Sequence, residues 1–166
     1  MKAPQRLVLG LATAWLLVLA ASCSSPAHGP SIEIRGDSWS AVPAAMDVDG
    51  DSFNILVSNL GTTREEFVVV HLTGAAPDAL PMRDGQLDMT LDESTFYVTY
   101  PEPMPNEGRE GGAAFTLVPE PIDPGEEKQV TIGSFKGGGE PATYVVMSCE
   151  KGGYAAAHYA VFTITG

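Results

Sequence analysis

From Ser31 onward no helical period is sustained, and 16 of the chain's 18 glycines and 10 of its 13 prolines interrupt it every few residues. Glycine or proline inside a helix costs about 1–3 kcal/mol, so a chain punctuated this often cannot build long helices. What lies between the breaks is short and β-rich. The runs are Ser31–Arg35, Ser52–Leu60, Glu66–Leu72, Thr95–Tyr100, Ala114–Val118, Lys128–Phe135, Thr143–Cys149 and Ala157–Thr165. Many short strands separated by turn formers specify an all-β sandwich or barrel. Period-two alternation divides their faces. Phe53, Ile55, Val57 and Asn59 share one face, and Tyr159, Val161 and Thr163 face away from Ala160, Phe162 and Ile164. Asp49-Gly50-Asp51, Asn59-Leu60-Gly61 and Pro124-Gly125 supply the turns. Thr73 to Gln86 and Pro101 to Gly112 read as loops, and the sequence contains neither an internal repeat nor a second domain.

The first residues are expected to stand outside this fold. Lys2 and Arg6 precede the apolar stretch Leu7 to Ala21, which ends in small residues. That is the pattern of an export signal, and it is short for a membrane span. The stretch Leu19-Ala20-Ala21-Ser22-Cys23 resembles a bacterial lipobox, with Ala20 where leucine is usual. The resemblance implies that Cys23 becomes the acylated first residue, a palmitate-type anchor to the outer face of the cell membrane. Ordinary cleavage after Ala27 is the alternative, and it would discard Cys23. Residues 1–22 are thus read as a lipoprotein signal peptide, 23–30 as a flexible tether rich in Ser, Pro and Gly, and 31–166 as the β-sandwich domain. His28 falls in the tether and reads as solvated. Roughly 135 residues remain for the fold, enough for one domain with one core.

Nine basic residues, two of them Lys2 and Arg6 of the leader, face 21 acidic ones. So acidic a surface argues against nucleic acid and against adhesion to anionic lipid. It suits a basic protein partner in the envelope.

The two cysteines sharpen the question. If Cys23 is acylated or lost, Cys149 has no intrachain partner in an oxidising compartment. Three stretches, in order, then carry a family resemblance: "VPAAMDVDGDSFNILVSNLG", "NLGTTREEFVVV", and "PGEEKQVTIGSF" followed by "ATYVVMSCEKGGYAAAHYAVFTI". Together they resemble a cupredoxin, the Greek-key sandwich of plastocyanin, azurin and sulfocyanin-like proteins, over Ser31 to Thr165. The resemblance implies a copper site of two imidazoles, one thiolate and a weak axial methionine, in which soft sulfur holds Cu(I) and nitrogen suits Cu(II).

This sequence departs from that pattern. Cys149 keeps the cysteine position, but Glu65 stands where the first histidine belongs. The second histidine position falls on Gly153 in one alignment and on Tyr154 in the other; in the first, His158 takes the methionine position. Both equatorial histidines are therefore missing. The expectation is a non-enzymatic binding module with no cofactor, which binds another envelope protein or a small ligand. Its contact surface with an envelope partner would be Glu65, Tyr154 and His158. The alternative is a copper-holding or electron-transfer protein that uses Cys149, His158 and Glu65 as ligands.

The remaining candidates have plain readings. His71, on the face of Phe67 and Val69, reads as a half-buried strand histidine with a hydrogen-bond partner. Met82, Met89 and Met104 lie too far apart to form a copper-binding array and read as packing or surface residues. Asp47, Asp49 and Asp51 form a turn, because a calcium loop would need glutamate where Ser58 stands. No Gly-x-Ser-x-Gly elbow, His-Glu-x-x-His or phosphate-binding glycine loop occurs, so no enzyme activity is expected.

Overall fold

The structure, a computed structural model, describes residues 27–48, 50, 52–88, 95–101, 104–105, 115–116, 118–133 and 141–165. The signal peptide and Cys23 lie outside these residues, as do Met89, Asp49 and Asp51 and most of the 101–112 loop.

The first sheet holds β1 (Ala27–Arg35), β2 (Ser38–Val42), β4 (Phe53–Asn59) and β12 (Glu127–Ile132), in the order β12-β4-β1-β2. The second holds β11 (Glu120–Ile122), β5 (Glu65–Leu72), β13 (Ala142–Ser148), β14 (Tyr159–Thr165) and β3 (Ala45–Asp47), in that order. β8 (Phe96–Tyr100) shares the outer side of β5 with β11. Two small ribbons complete the set: β6 (Met82–Arg83) with β7 (Gln86–Leu87), and β9 (Met104–Pro105) with β10 (Phe115–Thr116). Two pairs, β1 with β4 and β14 with β3, run parallel; the rest are antiparallel. Chain neighbours are often not sheet neighbours, and connections such as β4 to β5 and β11 to β12 cross between the sheets. The chain is an all-β Greek-key sandwich.

Alternation builds the core as the sequence pattern requires. Phe53, Ile55 and Val57 of β4 and Ala160, Phe162 and Ile164 of β14 meet between the sheets with Ile32, Ile34, Phe67, Val69, Tyr144 and Val146. Phe53, Tyr144 and Phe162 interlock at its centre, with ring centroids 5.2–6.1 Å apart. Such pairs add about 0.5–1.5 kcal/mol beyond the area they bury. A second cluster lies on the other face of the second sheet. There Val68, Val70, Val145 and Met147 pack with Leu80, Phe96, Val98 and Tyr154, beneath the segment 73–88. The stretch Thr73 to Gln86, read as a loop, contains β6 and the start of β7, which form a hairpin. Met82 packs against this cluster.

One boundary moves. The expected tether runs to residue 30, yet β1 begins at Ala27, and Ala27 and His28 pair with Phe53 and Asn54. Gly29 and Pro30 sit at a register shift between His28 and Ser31, where a bulge tolerates the donor that proline lacks. Gly29 is required there, because a Cβ would stand 2.7 Å from the Asn54 carbonyl oxygen.

Candidate functional site

The end of the sandwich where β4 turns into β5 gathers most of the candidate residues. Asn59, buried at the end of β4, shapes the turn with its side-chain amide. Its Nδ2 donates to the carbonyl oxygens of Thr63 (2.8 Å) and Ile122 (3.0 Å), and its Oδ1 accepts from the Gly61 amide (3.0 Å). Gly61 lies so close to the β1–β2 turn that an added Cβ would stand 3.0 Å from the Gly36 nitrogen. That packing brings Asp37, on the same turn, to the mouth of the sandwich.

Glu65 opens β5 on the inward face, in register with Phe67 and Val69 of the core. It is 6% exposed. Thr63 Oγ1 donates to its Oε1 at 3.1 Å, while Oε2 is buried without a partner. Burial raises the Glu65 pKa, against the hydrogen bond from Thr63; the carboxylates of Glu150 and Asp37 push it further up and His158 pulls it down.

The loop from Cys149 to His158 closes the same end. The Ser148 amide donates to the His158 carbonyl, and the His158 amide donates to the Gly153 carbonyl, both at 2.9 Å. His158 Nε2 lies 3.5 Å from Asp37 Oδ1, and its Nδ1 is buried without a partner. One imidazole thus joins the closing loop to the turn of the opposite sheet.

Cys149 does not share this space. Along β13, Tyr144 and Val146 point into the inner core, whereas Val145 and Met147 point into the outer cluster. Alternation places Ser148 inward and Cys149 outward, and Cys149 packs against the outer cluster. Burial pushes its thiol up to about 12, with the Glu66 carboxylate adding to the effect. The inward residue beside Glu65 and His158 is therefore Ser148, which is 2% exposed and accepts a hydrogen bond from the Glu150 amide through Oγ. The set Cys149, His158 and Glu65 is divided between two faces of one sheet. Among the described residues no three His, Cys, Asp or Glu side chains gather closely enough to hold a metal ion. The donors present do not fit a copper centre built on those three.

Both alignments of the second histidine position have a structural answer. A Cβ on Gly153 would stand 2.8 Å from both Cβ and Oγ of Ser148, so no side chain fits there without displacement. Tyr154 is 9% exposed and belongs to the outer cluster. Its hydroxyl donates to the Pro77 carbonyl (2.6 Å) and accepts from the Leu80 amide (3.1 Å). Glu65 and Tyr154 are buried, so neither provides the exposed contact surface expected of them. Asp37, Leu60 and Glu150 are among the solvent-facing groups at this end, with His158 partly accessible. Sequence reasoning passed over Asp37, Thr63 and Ser148; for Ser148 the signal was available, because it stands an even number of residues from Tyr144.

His71 is half-buried on the predicted face. Its ring lies on Tyr144 (4.9 Å) and edge-on to Tyr97 (4.8 Å), and its Nδ1 lacks the hydrogen-bond partner expected. Burial lowers its pKa.

No protein-family model matches the sequence, and neither does any curated protein. Among solved structures, the chain is similar to sodium-dithionite-reduced auracyanin from Roseiflexus castenholzii. The identity is 14% and the TM-score 0.44, over 86% of this chain and 98% of that one. For auracyanin B the identity is 12% and the TM-score 0.45, over 86% and 91%. For the McoA multicopper oxidase of Aquifex aeolicus the identity is 7% and the TM-score 0.44, over 86% of this chain and 30% of the oxidase.

Proposed function

We propose that the protein is a lipid-anchored envelope protein whose cupredoxin-like domain acts as a non-enzymatic binding module, without a standard blue-copper site. One observation carries this reading: Cys149 lies on the opposite face of the second sheet from Glu65 and His158. A thiolate on that side cannot share a first coordination shell with them, and Gly153 leaves no room for a compensating imidazole. The end that closes the sandwich is polar, acidic and rigidly tied, which suits recognition of a basic partner protein. Asp37, Leu60, Glu150 and the accessible edge of His158 would make the contact.

Adding Cu(II) to the purified protein and recording the visible spectrum tests the reading directly. The expected result is no thiolate-to-copper charge-transfer band. A band that disappears in Cys149→Ser would reverse the proposal in favour of a copper-holding protein. For the partner, capture from envelope extracts should depend on Asp37 and Leu60, so that Asp37→Lys with Leu60→Asp abolishes it. Capture that is indifferent to both substitutions would remove this end from consideration.

A further inference from the structure

We propose that the lipid surface itself is held against the β1-start end of the sandwich, so that the Asn59–Glu65–His158 end points away from the membrane. This inference rests on the anchoring of Cys23 proposed above and adds to it an orientation.

The warrant is chain length against strand direction. Ala27 is already paired with Phe53, so only residues 24–26 lie between Cys23 and the first residue of the sheet. Four Cα–Cα steps span at most about 14 Å even when fully extended. β1 and β4 run parallel from that point, and their far ends meet at Ile34 and Asn59. Six steps along β4 from Phe53 to Asn59, at ~3.3 Å each, put the Asn59 end about 20 Å further on. An anchor that reaches less than the length of the strands must hold one particular end of the sandwich at the bilayer.

Charge then decides between an upright and a reclining domain. Without Lys2 and Arg6 of the leader, 7 of the 9 basic residues remain against 21 acidic ones, and the far end bears Asp37, Glu66, Asp123, Glu126, Glu127 and Glu150. Arg35, Arg64, Lys128 and Lys151 lie at the same end, some of them paired with acidic neighbours, and leave it with a smaller but still negative excess. A bacterial membrane rich in anionic lipid repels such an end within a Debye length, about 8 Å at physiological salt. Asp47 lies near the anchored end, at the close of β3, but that end has no freedom to withdraw. The domain therefore stands with its Glu65–His158 end outermost, where a second protein can reach it.

Single bimane probes distinguish the two ends. In the lipidated full-length protein carrying Cys149→Ser, Gly133→Cys places a probe beside the anchored end, because Gly133 follows Ile132, which pairs with Phe53. An added Cβ there meets nothing within 4 Å. Ala155→Cys places a probe on the exposed surface of the closing loop. The protein is reconstituted in vesicles of zwitterionic and anionic phospholipid containing nitroxide-labelled headgroups. Quenching is expected to be several-fold stronger at position 133 than at 155. Inserting a long Gly/Ser segment between Ser25 and Pro26 should erase the difference. Equal or reversed quenching in protein that floats with the vesicles would overturn the orientation and leave the anchor standing. Failure to float, or flotation unchanged by Cys23→Ala, would overturn both. A difference that survives the insertion would show that the tether does not set the orientation, and it too would overturn the proposal.

Discussion

Glu65 is a carboxylic acid placed where an apolar residue would be easier to hold. Asn59 fixes the turn, Thr63 supplies one hydrogen bond, and the second carboxyl oxygen has none. A buried charge with half its shell missing favours the protonated form, which is why the pKa moves up. The folded pKa lies above the unfolded one. The stabilisation tied to the protonated form is therefore complete below the unfolded pKa, and it is lost as pH rises through the raised folded pKa. Glu65→Gln keeps the shape and removes the titration. Its stability relative to wild type, from denaturant unfolding at a series of pH values, should increase as pH rises from about 4.5 towards neutrality. A constant difference across that range would show that Glu65 is not the titrating group. The thiol of Cys149 provides a separate check at the same scale. With its pKa at about 12 instead of 9.0, the native protein holds roughly a thousandfold fewer thiolates at pH 8. Alkylation should be slow in the native state and fast in denaturant. Rapid native alkylation would contradict the outward, packed position of the side chain.

At the scale of elements, the eight runs legible in the sequence each overlap an observed strand, because hydrophobic alternation bounded by turn formers is a local signal. What the sequence concealed is informative. β2, β3 and β11 are short and lie at or beside sheet edges, and β11 is Glu120-Pro121-Ile122, whose proline argues against a strand unless an edge accepts it. The start of β1 was hidden for a related reason. His28-Gly29-Pro30 has the composition of a linker, and only the parallel ladder with β4 holds it as strand. The alternative ligand set is split along β13: Cys149, an odd number of residues from Tyr144, packs against the outer cluster, whereas Tyr144 packs in the inner one. Gly29 makes the β1 reading testable. In Gly29→Ala the new methyl would meet the Asn54 carbonyl oxygen at 2.7 Å and the Phe53 ring at 2.8 Å. Overpacking of that kind costs about 1–3 kcal/mol. Hydrogen exchange should rise first at residues 27–34 and their partners on β4. Unchanged protection there would mean that β1 begins later than Ala27.

Seen as a whole, the molecule has two apolar cores among its described residues, and they share one sheet. β5 and β13 send alternate residues to each side, so Val69 and Val146 serve the inner core while Val68 and Val145 serve the outer one. The outer core depends on a cover that is not itself part of the sheet, the segment 73–88. Two sets of contacts tie this cover to the closing loop. One is the Tyr154 hydroxyl, which bonds Pro77 and Leu80, and the other is the Gly152 amide, which donates to the Gly85 carbonyl at 3.0 Å. The loop that closes the candidate site also pins the cover of the outer core. Tyr154→Phe keeps the ring against Tyr159 and deletes only the hydroxyl, leaving the Leu80 amide without its acceptor. An unsatisfied buried donor costs about 1–3 kcal/mol. Because the inner core is untouched, the loss should appear first as local opening. Limited proteolysis should cut within 73–88 faster in Tyr154→Phe than in wild type, under conditions where tryptophan fluorescence still reports an intact sandwich. Cleavage that rises only in step with global unfolding would mean that the two cores form one cooperative unit and that Tyr154 is not a separate latch.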